Sequence, residues 1–111
     1  VIQICPHSGT YDFHSKYTKG ATDYLCPAPI SDELRDKMQA IAVKAFQVCE
    51  CRGVVRFDMR TDSKGQPHVL EANSIPGMTA TSLVPKSAAA AGTDFPHLCE
   101  KILLGASTGK I

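Results

Sequence analysis

The sequence predicts an α+β fold, an antiparallel sheet packed with helices. Two runs of alternating residues, 55–60 and 69–73, flank a segment rich in turn formers, Thr61-Asp62-Ser63-Lys64-Gly65-Gln66-Pro67. That arrangement reads as a β-hairpin. Upstream, apolar residues recur at helical spacing after Ser31. Downstream, two short apolar segments are separated by Gly92. Strands clustered around one hairpin, with helices on either side in sequence, belong to the α+β class.

Each element has a local cause. Residues 1–4 alternate weakly and read as a strand, followed by a turn at Pro6-His7-Ser8-Gly9-Thr10. Tyr11-Asp12-Phe13-His14-Ser15-Lys16-Tyr17 alternates aromatic and polar residues, as a second strand does. Residues 18–29 carry Gly20 and two prolines and read as a loop. Ser31 caps a helix whose first turn holds Asp32 and Glu33, favourable at its positive end. Leu34, Met38, Ile41, Ala45 and Val48 form its apolar stripe, widened by Ala42 and Phe46, and the helix is expected to stop near Gly53. Residues 85–91 read as an alanine-rich helix opened by Pro85 and ended by Gly92. Thr93 or Asp94 caps a last helix through Ile102 to Leu104. Residues 1–104 are expected to form the folded unit and 105–111 a frayed tail.

The hairpin carries the candidate chemistry. Side chains alternate faces along a strand. Arg56 and Asp58 therefore share one face of the first run, and Glu71 and Asn73 share one face of the second. A turn at Lys64-Gly65 places Asp58 opposite Glu71 and Arg56 opposite Asn73. Opposed residues have Cβ atoms roughly 4.5–5.5 Å apart, where like charges repel. A divalent cation on hard oxygen donors, with an arginine beside it for an anion, offsets that repulsion. A solvated charged face fits the alternation equally. Phe57, Met59, Leu70 and Ala72 occupy the alternate positions and favour a core on the other face. The second run leads into residues 74–85, which are rich in hydroxyls and backbone donors.

Composition narrows the function classes. The 111 residues suffice for one small domain. A hydrophobic content of 43% and a charged content of 21% are those of an ordinary globular chain. The net charge of +1 gives no electrostatic case for nucleic acid or an anionic membrane. No apolar run approaches the roughly 18 residues of a membrane span. The first residues lack the pattern of a signal peptide and open in mid-strand, as a fragment of a longer chain would. Cys5, Cys26, Cys49, Cys51 and Cys99 show no Cys-x-x-Cys spacing, and the four histidines are scattered. These cysteines are expected to be reduced thiols of a cytoplasmic protein.

Several motifs, in order, resemble one family. Arg56-Phe57-Asp58, then Leu70-Glu71-Ala72-Asn73-Ser74-Ile75-Pro76-Gly77-Met78-Thr79, then Ser82-Leu83-Val84-Pro85 resemble the D-alanine–D-alanine ligases of the ATP-grasp superfamily. Residues 11–17 are similar to that family's Tyr-Asp-Tyr-Glu-x-Lys-Tyr segment. Cys26-Pro27-Ala28 and Cys51-Arg52-Gly53 fall where the family has the same tripeptides. The likeness runs over nearly the whole chain. It implies the C-terminal part of an ATP-grasp domain, with the substrate domain and the ATP-clasping lid upstream of Val1.

The resemblance also implies a reaction and a set of roles. ATP phosphorylates one D-alanine, and a second D-alanine displaces the phosphate to give the dipeptide used in peptidoglycan precursors. Asp58, Glu71 and Asn73 match ligands of two magnesium ions, for which manganese could substitute. Arg56 matches the arginine on the transferring phosphoryl group, although a surface ion pair with Asp58 is its bland alternative. Lys16 matches a lysine on ATP phosphate, and Leu70 is placed to touch the adenine unless it is a core leucine. Tyr17 matches a tyrosine near the second substrate. Gly77 matches a backbone donor of the oxyanion hole. Ser82 and Leu83 match the hydroxyl and amide that bind the second D-alanine's carboxylate.

His14 stands where the family has glutamate, Ala72 where it has valine, and Ser74 where it has threonine. The implied partners are D-alanine and the missing N-terminal and lid segments, with a homodimer as a way to cover exposed apolar surface. The isolated chain is expected to be inactive. Another ATP-grasp carboxylate–amine ligase and a non-catalytic metal-binding fragment remain the competing readings.

Overall fold

The computed structural model describes residues 1–9 and 20–107. Strand β1 (Gln3–Pro6) pairs antiparallel with β2 (Thr22–Leu25), Gln3 opposite Leu25 and Pro6 opposite Thr22. Helix α1 (Asp32–Val48) follows, then the hairpin β3 (Arg56–Thr61) and β4 (Pro67–Asn73), then helices α2 (Leu83–Ala90) and α3 (Phe95–Leu104). The class is α+β. Among the described residues the strands form two separate antiparallel pairs.

Strand β2 corrects the expected loop over residues 18–29. Thr22 and Tyr24 are β-formers on alternate positions, and Thr22 is buried while Tyr24 is half-buried. The flanking glycine and prolines hid a four-residue strand between them. The strand expected over residues 11–17 lies outside the described residues.

Helix α1 begins as its cap dictates, with the Ser31 hydroxyl accepting from the Leu34 N–H at 3.2 Å. Leu34, Met38, Ile41, Ala42, Ala45 and Phe46 are its half-buried side chains, but Val48 is exposed. The helix ends at Val48, well before Gly53. Glu50 adopts the left-handed conformation, φ 53°, that usually calls for glycine. The Cys51 N–H then donates to the Phe46 carbonyl at 2.9 Å and the Glu50 N–H to Gln47 at 3.1 Å. This bond pair is a Schellman stop, and it closes the helix despite the strain. Glu50→Gly is therefore expected to raise stability by about 0.5–1 kcal/mol. A urea titration in which the variant matches or falls below the parent would show that Glu50 carries no such cost.

The hairpin register has two parts. Asp62 holds the turn. Its Oδ1 accepts from the Lys64 and Gln66 N–H groups, each at 2.9 Å, and its Oδ2 lies 2.9 Å from His68 Nε2. The turn sets Thr61 opposite Pro67 and Met59 opposite Val69. Continued unchanged, that register would place Leu70 opposite Asp58 and send Glu71 to the other face. A β-bulge at this point gives β4 one extra residue, Leu70, and restores Glu71 to the position opposite Asp58. Lys37 Nζ of α1 donates to Gln66 Oε1 and ties the helix to this turn.

The His68 hydrogen bond, followed by the Gln66 N–H, holds the Asp62 carboxyl below its ordinary value. A depressed carboxyl contributes stability above its unfolded pKa and loses it as pH falls through the folded one. Asp62→Asn keeps Oδ1 and removes the charge. Its melting temperature is expected to lie below the parent's at neutral pH and to converge on it below about pH 4. A deficit that persists unchanged to about pH 2 would assign the effect to shape instead.

Helices α2 and α3 pack on each other. The Asp94 side chain caps α3, accepting from the His97 N–H at 2.9 Å. Leu98 of α3 is the buried large aliphatic residue among those described, at 9% exposure. Val69, Leu70, Ile75, Leu103 and Leu104 are exposed. All five cysteines are free. Among the described residues no helix is long and apolar enough to cross a membrane.

Candidate active site

The bulged register assembles one polar face. Asp58 is the cross-strand partner of Glu71, and Arg56 that of Asn73. The expected juxtaposition is present, although the turn alone does not produce it. Arg56 Nε donates to Asp58 Oδ1 at 2.7 Å and its Nη2 to Oδ2 at 3.1 Å. Both side chains are largely covered, at 21% and 18% exposure. This planar two-point pairing is the strong form of a guanidinium–carboxylate contact. The ion pair weighed from the sequence is thus formed.

The Glu71 side chain is exposed and has no hydrogen-bond or ion-pair partner among the described residues. Asn73 Oδ1 accepts from the Ile75 N–H at 3.1 Å, which fixes the amide at the start of the following loop. By register, two carboxylates and one amide stand on one face of adjacent strands. Hard oxygen donors of mixed charge fit a magnesium ion that fills its remaining positions with waters or phosphate oxygens. Among the described residues no three His, Cys, Asp or Glu side chains cluster as a self-contained metal cage.

The core expected on the opposite face is only partial. Phe57 and Met59 are half-buried, but Ala72 is exposed and Leu70 is 65% exposed. Within this chain Leu70, the extra residue of the bulge, is not buried in a core. Its accessibility leaves the side chain able to meet a ligand.

Downstream, a Cβ on Gly77 would sit 3.0 Å from Ser82 Oγ, so a larger residue here would press on that hydroxyl. Ser82 is the N-cap of α2, and Leu83 is its first helical residue. The helix thus begins two residues before the expected start at Pro85, which falls within its first turn. The Ser82 side chain makes no cap hydrogen bond. The reason is local. Pro85 has no N–H to offer at the third helical position, and Ser82 Oγ instead accepts from the Thr79 N–H at 3.0 Å. The amides at the start of α2 are therefore not consumed by their own cap.

Lys16, Tyr17 and His14 lie outside the described residues. The contact of Thr79 with Ser82 and the bulge at Leu70 escaped the sequence reading. The Thr-x-x-Ser spacing at residues 79–82 carries a signal for the first; nothing in residues 67–73 marks the second.

A family model described as the D-ala D-ala ligase C-terminus matches residues 1–104. The chain belongs to this family. Among its relatives, the D-alanine–D-alanine ligase of Methylacidiphilum infernorum is 50% identical over 103 residues, covering 93% of the chain and 34% of that protein. The ligase of Syntrophotalea carbinolica is 47% identical over 110 residues, covering 99% of the chain and 36% of the relative. The chain thus spans about a third of the length of these ligases. Among solved structures, the Bacillus anthracis D-alanine–D-alanine ligase complexed with ATP aligns with a TM-score of 0.70 at 30% identity, covering 86% of this chain and 30% of that one. The Enterococcus faecalis VanG D-Ala:D-Ser ligase aligns at 0.74 and 30% identity, covering 92% and 29%. The strand pairs and helices are those of the ligase C-terminal region of the ATP-grasp superfamily.

Proposed function

We propose that this chain is the metal- and phosphate-handling third of an ATP-dependent D-alanine–D-alanine ligase of the cytoplasm, serving peptidoglycan precursor synthesis. The observation that carries the reading is the pairing of Asp58 with Glu71 beside Arg56 and Asn73 on one hairpin face. ATP and magnesium enter as the family's chemistry. Asp58 would hold one ion, Asn73 the other, and Glu71 both. Two such ions, when bound, neutralise the charge of the nucleotide phosphates.

The chain's own residues divide the remaining work. The first D-alanine's carboxylate attacks the terminal phosphorus of ATP, giving an acyl phosphate and ADP. Arg56 orients the transferring group with a planar fork of donors that lysine could not supply. Lys16 contacts the nucleotide phosphates, and Leu70 lies against the adenine. The amine of the second D-alanine then attacks the acyl carbon. The Gly77 N–H faces the developing oxyanion. Ser82 and the Leu83 N–H hold the second substrate's carboxylate, and the resemblance assigns Tyr17 to the same substrate. Inorganic phosphate leaves, and the amine gives up its proton as the peptide bond forms.

The test uses a complete ligase in which residues 1–104 replace the matching segment of the Methylacidiphilum infernorum relative. Magnesium-dependent ADP release on adding D-alanine is expected. ADP release with other carboxylate–amine pairs and none with D-alanine would overturn the substrate assignment. The likeness to a D-Ala:D-Ser ligase makes D-serine the informative competitor for the second position. D-alanine is expected to win over D-serine and D-lactate.

A further inference from the structure

The loop ahead of α2 holds Thr79 and Ser82 as a closed hydrogen-bonded pair. We propose that Thr79 is a positioning residue that makes the Ser82 hydroxyl an obligate donor, and so tunes this position to a carboxylate. The proposal rests on the reading of Ser82 as the ligand of the second substrate's carboxylate.

A serine hydroxyl has one O–H and two acceptor lone pairs. One lone pair of Ser82 Oγ is taken by the Thr79 N–H at 3.0 Å. The Thr79 hydroxyl lies 2.7 Å from the same oxygen, close enough for either to donate. The Ser82 N–H closes the turn on the Thr79 carbonyl at 3.0 Å, which locks the two residues together. A Cβ on Gly77 would come to 3.0 Å from the same oxygen. Without ligand, the Ser82 O–H can rest on Thr79 Oγ1. A carboxylate accepts only, so its arrival selects the other arrangement. Thr79 then donates its O–H to Ser82, both Ser82 lone pairs are filled, and the Ser82 O–H points to the carboxylate. Donation into a hydroxyl strengthens the bond that hydroxyl gives. An N-cap serine ordinarily caps its own helix, but Pro85 removes the N–H at the third position and Ser82 makes no cap hydrogen bond.

The experiment compares Thr79→Val, Thr79→Ser and Ser82→Ala in the complete ligase defined above, with D-alanine and D-alaninamide as acceptors. Thr79→Val is expected to raise the acceptor KM for D-alanine by about 5- to 20-fold, with kcat within about 2-fold. Its preference for D-alanine over D-alaninamide is expected to fall by a similar factor, because the neutral amide gains less from a forced donor. Thr79→Ser is expected to restore both values. Ser82→Ala is expected to raise the same KM by about 10- to 100-fold. An unchanged KM in Ser82→Ala would overturn the carboxylate reading itself. A raised KM in Ser82→Ala with an unchanged one in Thr79→Val would overturn the role of Thr79 alone. Equal losses for D-alanine and D-alaninamide, or no rescue by serine, would reduce Thr79 to loop structure.

Discussion

Glu71→Gln in the complete ligase is expected to lower kcat by roughly 1,000-fold while leaving the fold intact. The two halves have separate causes. A carboxylate shared by two cations supplies several kcal/mol of charge stabilisation to phosphoryl transfer, and each 1.4 kcal/mol is about tenfold in rate. In the folded chain, however, Glu71 is exposed, lacks a partner among the described residues and faces Asp58. Removing its charge relieves a like-charge contact. The urea midpoint is expected to stay level or rise slightly, within about 0.5 kcal/mol.

Asp58→Asn is expected to be as damaging to turnover but also to cost stability, because it breaks the covered pair with Arg56. The double variant is expected to lose little beyond the worse single one, since both residues serve the same ions. Arg60→Gln, exposed on the same strand face, is the control and is expected to stay near the parent. Normal turnover in Glu71→Gln would remove the metal site from the account. Collapse of its fold would assign Glu71 a structural role that its exposure contradicts.

The largest stability effect is expected from Leu98→Ala. Leu98 of α3 is the buried large aliphatic residue of the described structure, and α3 packs on α2. Truncating a buried leucine costs about 2–5 kcal/mol, against total stabilities of about 5–15 for typical domains. With little else buried, much of the fold's margin is expected to go in one substitution. Leu104→Ala, at 77% exposure on the same helix, is expected to change stability by under about 0.5 kcal/mol. Equal urea midpoints for the two variants would show that the α2–α3 contact is not where the stability lies. Because α2 carries Ser82 and Leu83 at its start, loss of that contact is also expected to weaken acceptor binding.

Much of the site could be read from residue order. Alternation put Arg56 and Asp58 on one face and Glu71 and Asn73 on one face, because side-chain period in a strand is a covalent fact. The Ser31 cap and the stripe from Leu34 to Phe46 were legible for a similar reason, since capping and helical spacing are local. Harder features were those in which a residue departs from its type. Glu50 takes a conformation typical of glycine, so the end of α1 could not be placed by looking for Gly53. Strand β2 is four residues long and flanked by loop formers, too short for periodicity to register. Ser82 looks like an ordinary cap, and only the neighbouring Pro85 and Thr79 turn its hydroxyl elsewhere.

By itself the chain's order of residues determined the class of the fold, the ligase family and which oxygens could meet across the hairpin. Tertiary structure decided the register that sets them opposite one another. Asp62 sets the turn one register away from the one that aligns the carboxylates, and the extra residue at Leu70 corrects it. A bulge is a compromise among twist, turn and packing over two strands at once. No single segment encodes it, and the polar face of this protein depends on it.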